Sequence, residues 1–135
     1  MARPRGVTWL ALAVLLLSAV NLLRAIRVFS GPDHLAQLNL SVSPAYLGVS
    51  GLAWAAVLGA AASGLWRLQP WGRWLALGAV SLFHLNAWLN RLAFEVSTYA
   101  RQVWPWEALV SVLAVGLTWA VLWRPSVRDA FQRGR

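Results

Sequence analysis

AYLGVSGLAWAAVLGAAASGLW, residues 45–66, carries no charged side chain and is long enough to cross a bilayer. A helix rises about 1.5 Å per residue, so roughly 20 residues cross the ~30 Å of hydrocarbon. Small residues recur through the stretch: Gly51, Ala55, Gly59 and Ser63 at four-residue spacing, with Ala56, Ala60 and Gly64 beside them. Lipid tails are as apolar as leucine, so helices in a membrane associate through close packing rather than hydrophobic force, and small residues permit that approach. The segment reads as the central packing helix of a membrane bundle. Ala108, Gly116 and Ala120 continue the theme more weakly in the last apolar stretch.

Working outward, three more apolar cores occupy residues 7–23, 74–89 and 108–123. The first and third are short of a full span, and flanking Trp, Asn and Arg complete them by snorkelling. The expected helices are 7–27, 45–66, 71–94 and 105–123, with a basic cytoplasmic tail over 124–135. Pro44 precedes the second helix. Arg67-Leu68-Gln69-Pro70 forms a tight turn that makes the second and third helices antiparallel neighbours. Trp104-Pro105-Trp106-Glu107 starts the fourth, with Pro in its first turn and Glu at the positive end of the helix dipole. In the longest connection, residues 28–43, Ser30-Gly31-Pro32-Asp33 predicts a short interfacial helix, followed by an extended segment. The Asn39-Leu40-Ser41 triplet fits a glycosylation sequon but is common by chance. Val127 and Phe131, four apart, predict a short surface helix lying on anionic headgroups. The reading is all-α: one integral membrane domain, 1–135, built as a four-transmembrane-helix bundle.

The net charge is +8, with 12 basic residues, all Arg, against four acids. In a membrane protein that charge sits at the water interfaces against anionic lipid headgroups, so no nucleic-acid partner is inferred. Arg3, Arg5, Arg67, Arg73, Arg124, Arg128, Arg133 and Arg135 fall on one side of the four spans. Arg24, Arg27, Arg91 and Arg101 fall on the other. The bias places both termini in the cytoplasm. Trp66, Trp71, Trp74 and Trp123 form a belt at that face. Asn21, Arg24 and Arg27 follow the first core where a signal peptide would carry a cleavage site, so this helix is read as retained. There is no Cys, which removes disulfides, thiol chemistry and Cys-ligated metals.

A shift of 65 residues lays the chain on itself without a gap. Trp9-Leu10-Ala11-Leu12 falls on Trp74-Leu75-Ala76-Leu77, Asn21 on Asn86, Phe29 on Phe94, Gly51-Leu52 on Gly116-Leu117 and Trp54-Ala55 on Trp119-Ala120. A duplicated two-helix hairpin preserves topology, so the halves would be related by a parallel pseudo-twofold axis along the membrane normal.

Polar groups inside spans are costly in lipid, so they are the candidates for function. Asn21 and Arg24 in the first helix, and His84, Asn86, Asn90 and Arg91 in the third, gather toward the external end. His84, Arg91 and Glu95 share one face, with Asn86 and Asn90 on the next. Such a cluster forms a cationic pocket for an anionic headgroup, a quinone or a small anion, unless the Asn residues only bridge helices and the Arg residues snorkel. Gly48-Val49-Ser50-Gly51 has the Gly-x-Ser-Gly form of rhomboid-type intramembrane proteases, with Ser50 and His84 as a remote nucleophile and base. Four helices are fewer than that fold needs, and Phe83-His84-Leu85-Asn86 lacks its small residues. His34 and His84 lack the spacing of haem ligands. No acid lies within a span, as a small multidrug exporter requires, and no Asp-rich metal motif of a phosphatidyl-transferase is present. No cofactor is expected.

The run Gly64-Leu65-Trp66-Arg67-Leu68-Gln69-Pro70-Trp71-Gly72-Arg73-Trp74, with Arg91-Leu92-Ala93-Phe94 and Trp104-Pro105-Trp106, resembles uncharacterised small four-helix membrane proteins of bacteria. The resemblance implies a fold and an inner-membrane location, and it brings no activity. The leading expectation is a non-enzymatic accessory or assembly subunit of a larger membrane complex, or a scaffold that associates with itself. The alternative is an oligomeric transporter or channel for a small or anionic solute. Replacing Asn86 and Arg91 by Ala separates the two. Proteoliposome flux is abolished in a transporter, whereas a scaffold loses only stability, ~1 kcal/mol per interhelical hydrogen bond.

Overall fold

The structure, a computed structural model, describes residues 4–31, 43–94 and 98–133. It contains five helices: α1 (Arg5–Ser30), α2 (Pro44–Trp66), α3 (Pro70–Phe94), α4 (Thr98–Trp123) and α5 (Pro125–Arg133). No strand occurs among the described residues. The expected interfacial helix and extended segment, with His34 and the Asn39 triplet, lie outside them, as does Glu95. Each long helix packs on the next in sequence, and α1 also touches α4.

Three helices, not four, are long and apolar enough to cross a membrane: α1, α2 and Gln102–Trp123 of α4. The chain is therefore an all-helical membrane protein. The expectation of a fourth such span fails at α3 for a chemical reason. With 25 residues α3 is long enough, but Arg73, His84, Asn86, Asn90 and Arg91 interrupt its Leu and Ala residues. Helix four also begins earlier than expected, at Thr98, so that Pro105 lies inside the helix rather than at its start. Proline there removes one backbone donor and crowds the carbonyl four residues back.

Local chemistry sets the helix ends. Ser43 caps α2, its hydroxyl accepting from Tyr46 N–H at 3.2 Å, and Pro44 occupies the first turn. At the other end Gln69 N–H reaches Gly64 O at 2.9 Å and Leu68 N–H reaches Leu65 O at 3.1 Å, the paired bonds of a Schellman stop. The left-handed position belongs to Leu68 (φ 55°) instead of glycine. Its side chain packs on the apolar core, which offsets a conformation that costs a non-glycine residue roughly 1–2 kcal/mol.

The closest packing joins α1 to α2. Gly48 lies under the ring of Phe29, and a methyl on Gly51 would stand 3.2 Å from both Ala25 Cβ and Asn21 O. Gly59 faces Ser18, and the buried Ser18 hydroxyl donates to Ala55 O at 2.7 Å. At the end of α2 the contact passes to α3, where a methyl on Gly64 would fall 2.6 Å from Gly72 Cα. Several of the other small residues singled out above are exposed. Ser63 is exposed and donates to Ala60 O of its own helix. Gly116 and Ala120 are exposed, and nothing lies within 4 Å of a methyl built on Gly116. Large side chains bridge α4 to α3 instead, such as Trp119, whose indole N–H donates to Ser81 Oγ at 3.2 Å. Positions matched by the 65-residue shift thus differ in surroundings, Gly51 being buried and Gly116 bare.

The apolar core lies toward the α5 end. Val7, Ala11 and Val14 meet Leu58, Ala62, Leu65, Ala76 and Val80, and Leu122 closes the layer. Val127 and Phe131 of α5 belong to this cluster, 3% and 2% exposed. The tail is helical as expected, but its apolar face turns into the bundle and not onto headgroups, because the break at Arg124 folds α5 back. Arg73 secures the junction. Its Nε donates to Leu122 O at 3.0 Å, and its guanidinium sits 5.0 Å and 5.4 Å from the Trp74 and Trp123 rings, a cation over aromatic faces at a helix C-terminus.

Gly64→Ala forces backbone against backbone, so chemical denaturation in detergent should find it destabilised by about 1–3 kcal/mol. Gly116→Ala should stay within about 0.5 kcal/mol of the parent protein.

Candidate functional site

The polar residues of the long helices collect at the end of the bundle away from α5, where α1, α2 and α3 line a cavity of about 340 Å³. That volume lies in the range of small-molecule sites. Asn21 and Arg24 line it from α1, and Asn86, Asn90 and Arg91 from α3. From α2 come Tyr46, Ser50 and Trp54, a single face at four-residue spacing. Trp54 and Phe83 meet edge to face at 5.3 Å between centroids and stand at the deep side of the cavity. One turn further in, Leu58 and Val80 are buried, so the cavity is blind.

Several hydrogen-bonding groups are already fixed. Tyr46 O–H donates to Asn90 Oδ1 at 3.1 Å, which leaves the Asn90 amide N–H groups as donors. Ser50 donates to Leu47 O at 3.2 Å, so its oxygen is presented as an acceptor. Asn21 is buried and donates to Leu17 O at 2.8 Å. Among the described residues no carboxylate lines this cavity. Arg91, at its rim, is paired with Glu107 of α4.

His84 does not join this group. It turns toward α4, where its Nδ1 stands 3.2 Å from Ser111 Oγ. Ser111 Oγ also accepts from Trp88 Nε1–H at 3.2 Å, so one hydroxyl serves both side chains. A second cavity of about 380 Å³ lies here, lined by His84, Trp88, Arg91, Glu107 and Ser111 among others. The Ser50–His84 dyad is thereby corrected. Each residue is bonded elsewhere, they line different cavities, and among the described residues no hydrogen bond joins them. The face shared by Asn86 and Asn90 looks to α1 and α2, while the face of His84 looks to α4, and Arg91 lies between.

Sequence reasoning overlooked Tyr46, Trp54 and Phe83 as cavity walls and Ser111 as the partner of His84. Two of them carried a signal, since Tyr46 and Trp54 flank Ser50 at four-residue spacing. Ser111 carried none, because its neighbour across α3 follows only from how α4 is turned. Among the described residues no group of three or more His, Cys, Asp or Glu could hold a metal ion. The chain matches no protein-family model, no curated protein and no solved structure.

Ser111→Ala strands both His84 Nδ1 and Trp88 Nε1. A loss of about 1–3 kcal/mol is expected in detergent unfolding. Ser50→Ala, which removes only a bond within one turn of α2, should leave the midpoint within measurement error.

Proposed function

We propose that the protein is a non-enzymatic subunit of the bacterial inner membrane that works by docking α4 against another membrane-spanning helix. The partner helix belongs to a larger complex or to a second copy of this chain. The observation that carries the reading is the uneven burial of the spans. Their most apolar windows are 28% buried in α1 and 33% in α2, but only 11% in α4. Along the open groove it shares with α3, α4 presents Gly116 uncovered with Val112 exposed beside it, and Ala120 is exposed one turn on. Small residues four apart let a second backbone come close, which is the main source of helix association in lipid.

In this reading α3 is a fourth crossing. It returns beside α2 through a three-residue turn, so if α2 spans, α3 is carried across with it, its polar groups turned to the bundle or to the interfaces. The two hairpins then arise by duplication about a parallel axis, and the arginine bias puts both termini in the cytoplasm. A single unit working as a channel is disfavoured by the filled core beneath the cavity.

The test is native mass spectrometry after gentle extraction, comparing the parent protein with Gly116→Leu/Ala120→Leu. The parent should carry a partner or a second copy at fixed stoichiometry. The double variant should be a monomer with an unchanged melting midpoint, since both positions are exposed in the monomer. A parent protein that is monomeric in mild detergent and in nanodiscs sinks the proposal.

A further inference from the structure

The cavity between α1, α2 and α3 has features that the docking of α4 does not use. We infer that it is a binding site for the head of an anionic phospholipid, one that joins a phosphate diester to a hydroxyl-bearing group such as glycerol.

Depth is the first argument. Tyr46 lies in the first turn of α2, Arg24 within two turns of the end of α1, and Asn90 and Arg91 in the last turns of α3. Two turns are about 11 Å, so the cavity sits where a bilayer places its phosphates. The charge of the lining comes second. Among the described residues two guanidinium groups reach the cavity and no carboxylate lines it. Arg91 is shared with Glu107, so Arg24 carries the charge of the rim: it would repel a cationic head, whereas a phosphate would meet donors whose hydrogen bonds are strengthened by charge.

The third argument is the division of donors and acceptors. Arg24 and the Asn90 amide, which Tyr46 holds in orientation, offer N–H groups at the rim. Deeper in, Ser50 has spent its proton on Leu47 O and offers an acceptor. Asn86 supplies both roles. A head that is all acceptor, such as a phosphate diester without a hydroxyl, would leave Ser50 Oγ unmatched. A phosphate followed by an alcohol satisfies both zones, the phosphate at the rim and the hydroxyl below it. The exit for the acyl chains is also present. Leu82 and Leu89, 57% and 56% exposed, flank Asn86 on the lipid-facing side of α3, so the chains of a bound lipid can run down this helix without leaving hydrocarbon.

The experiment is lipid retention by native mass spectrometry. The protein is exchanged into mixed micelles with equal phosphatidylglycerol and phosphatidylcholine of matched chains. Phosphatidylglycerol should be retained about tenfold over phosphatidylcholine, the scale of one charge-assisted hydrogen bond. Arg24→Gln should remove that preference with an unchanged melting midpoint. Arg27→Gln, which removes the same charge from a residue outside the cavity, should keep it. Asn86→Leu should weaken phosphatidylglycerol without strengthening phosphatidylcholine. Equal retention of the two lipids by the parent protein overturns the inference, and so does equal loss in the Arg24 and Arg27 variants, which would mean charge alone. Displacement of the lipid by millimolar glycerol 3-phosphate overturns it as well, and gives the site to a water-borne phosphate ester. The α4 variants leave this cavity intact, so the two proposals fail separately.

Discussion

Two helix backbones that lie against each other hold this molecule in shape. Between α1 and α2 there is no water to exclude, so attraction must come from dispersion at short range and from polar groups with no other partner. Gly48, Gly51, Ala55 and Gly59 bring α2 close enough for both. The Ser18 hydroxyl then finds Ala55 O, and a side chain costly in hydrocarbon becomes a link between helices. The position of Asn21 follows from this contact, because a glycine faces its backbone carbonyl. So does the width of the cavity above it, whose back wall is the seam between the two helices.

The second half of the chain is assembled by other means. Where α1 and α2 use small residues, α3 and α4 use Trp88, Trp119, His84, Ser81 and Ser111, bulky or polar groups that reach across a wider gap. The pairing of Arg91 with Glu107 belongs to the same style. Bulky bridges tolerate rotation of a helix in a way that a glycine seam does not, and a helix held by them keeps one side uncovered. The 65-residue match of sequence therefore accompanies unlike packing. Gly51 and Gly116 are matched by the 65-residue shift, but only Gly51 has a neighbour within contact distance.

Legibility in the sequence followed the range of the interaction. Periodicity and hydropathy are local, and they located the helices to within a turn or so, except at α4. There Pro105 suggested a start and the helix continues through it. Small residues in α2 were legible as a packing face because their spacing is regular. Within the chain, Ser63, Gly116 and Ala120 stay exposed despite the same spacing, since spacing states that a helix can be approached and not which neighbour approaches it. Asn21, Arg24, Asn86, Asn90 and Arg91 meet at one cavity because depth along a span can be counted from the chain. His84 was misassigned because the side of α3 it faces depends on the turn of a different helix. The fate of Val127 and Phe131 was hidden for a related reason. An amphipathic segment reads the same whether its apolar side meets lipid or protein, and only the break at Arg124 decides.

Leu68 holds a conformation that glycine would adopt more easily, and it holds it at the joint between the two hairpins. A glycine there would let the joint swivel. A leucine anchored in the core keeps α2 and α3 at one angle, and thereby keeps the wide, bridged half of the molecule in register with the tight one. Stiffness at this corner means that a force applied to α3 from the side of α4 is passed to α2 as a lever would pass it, and is not absorbed at the bend.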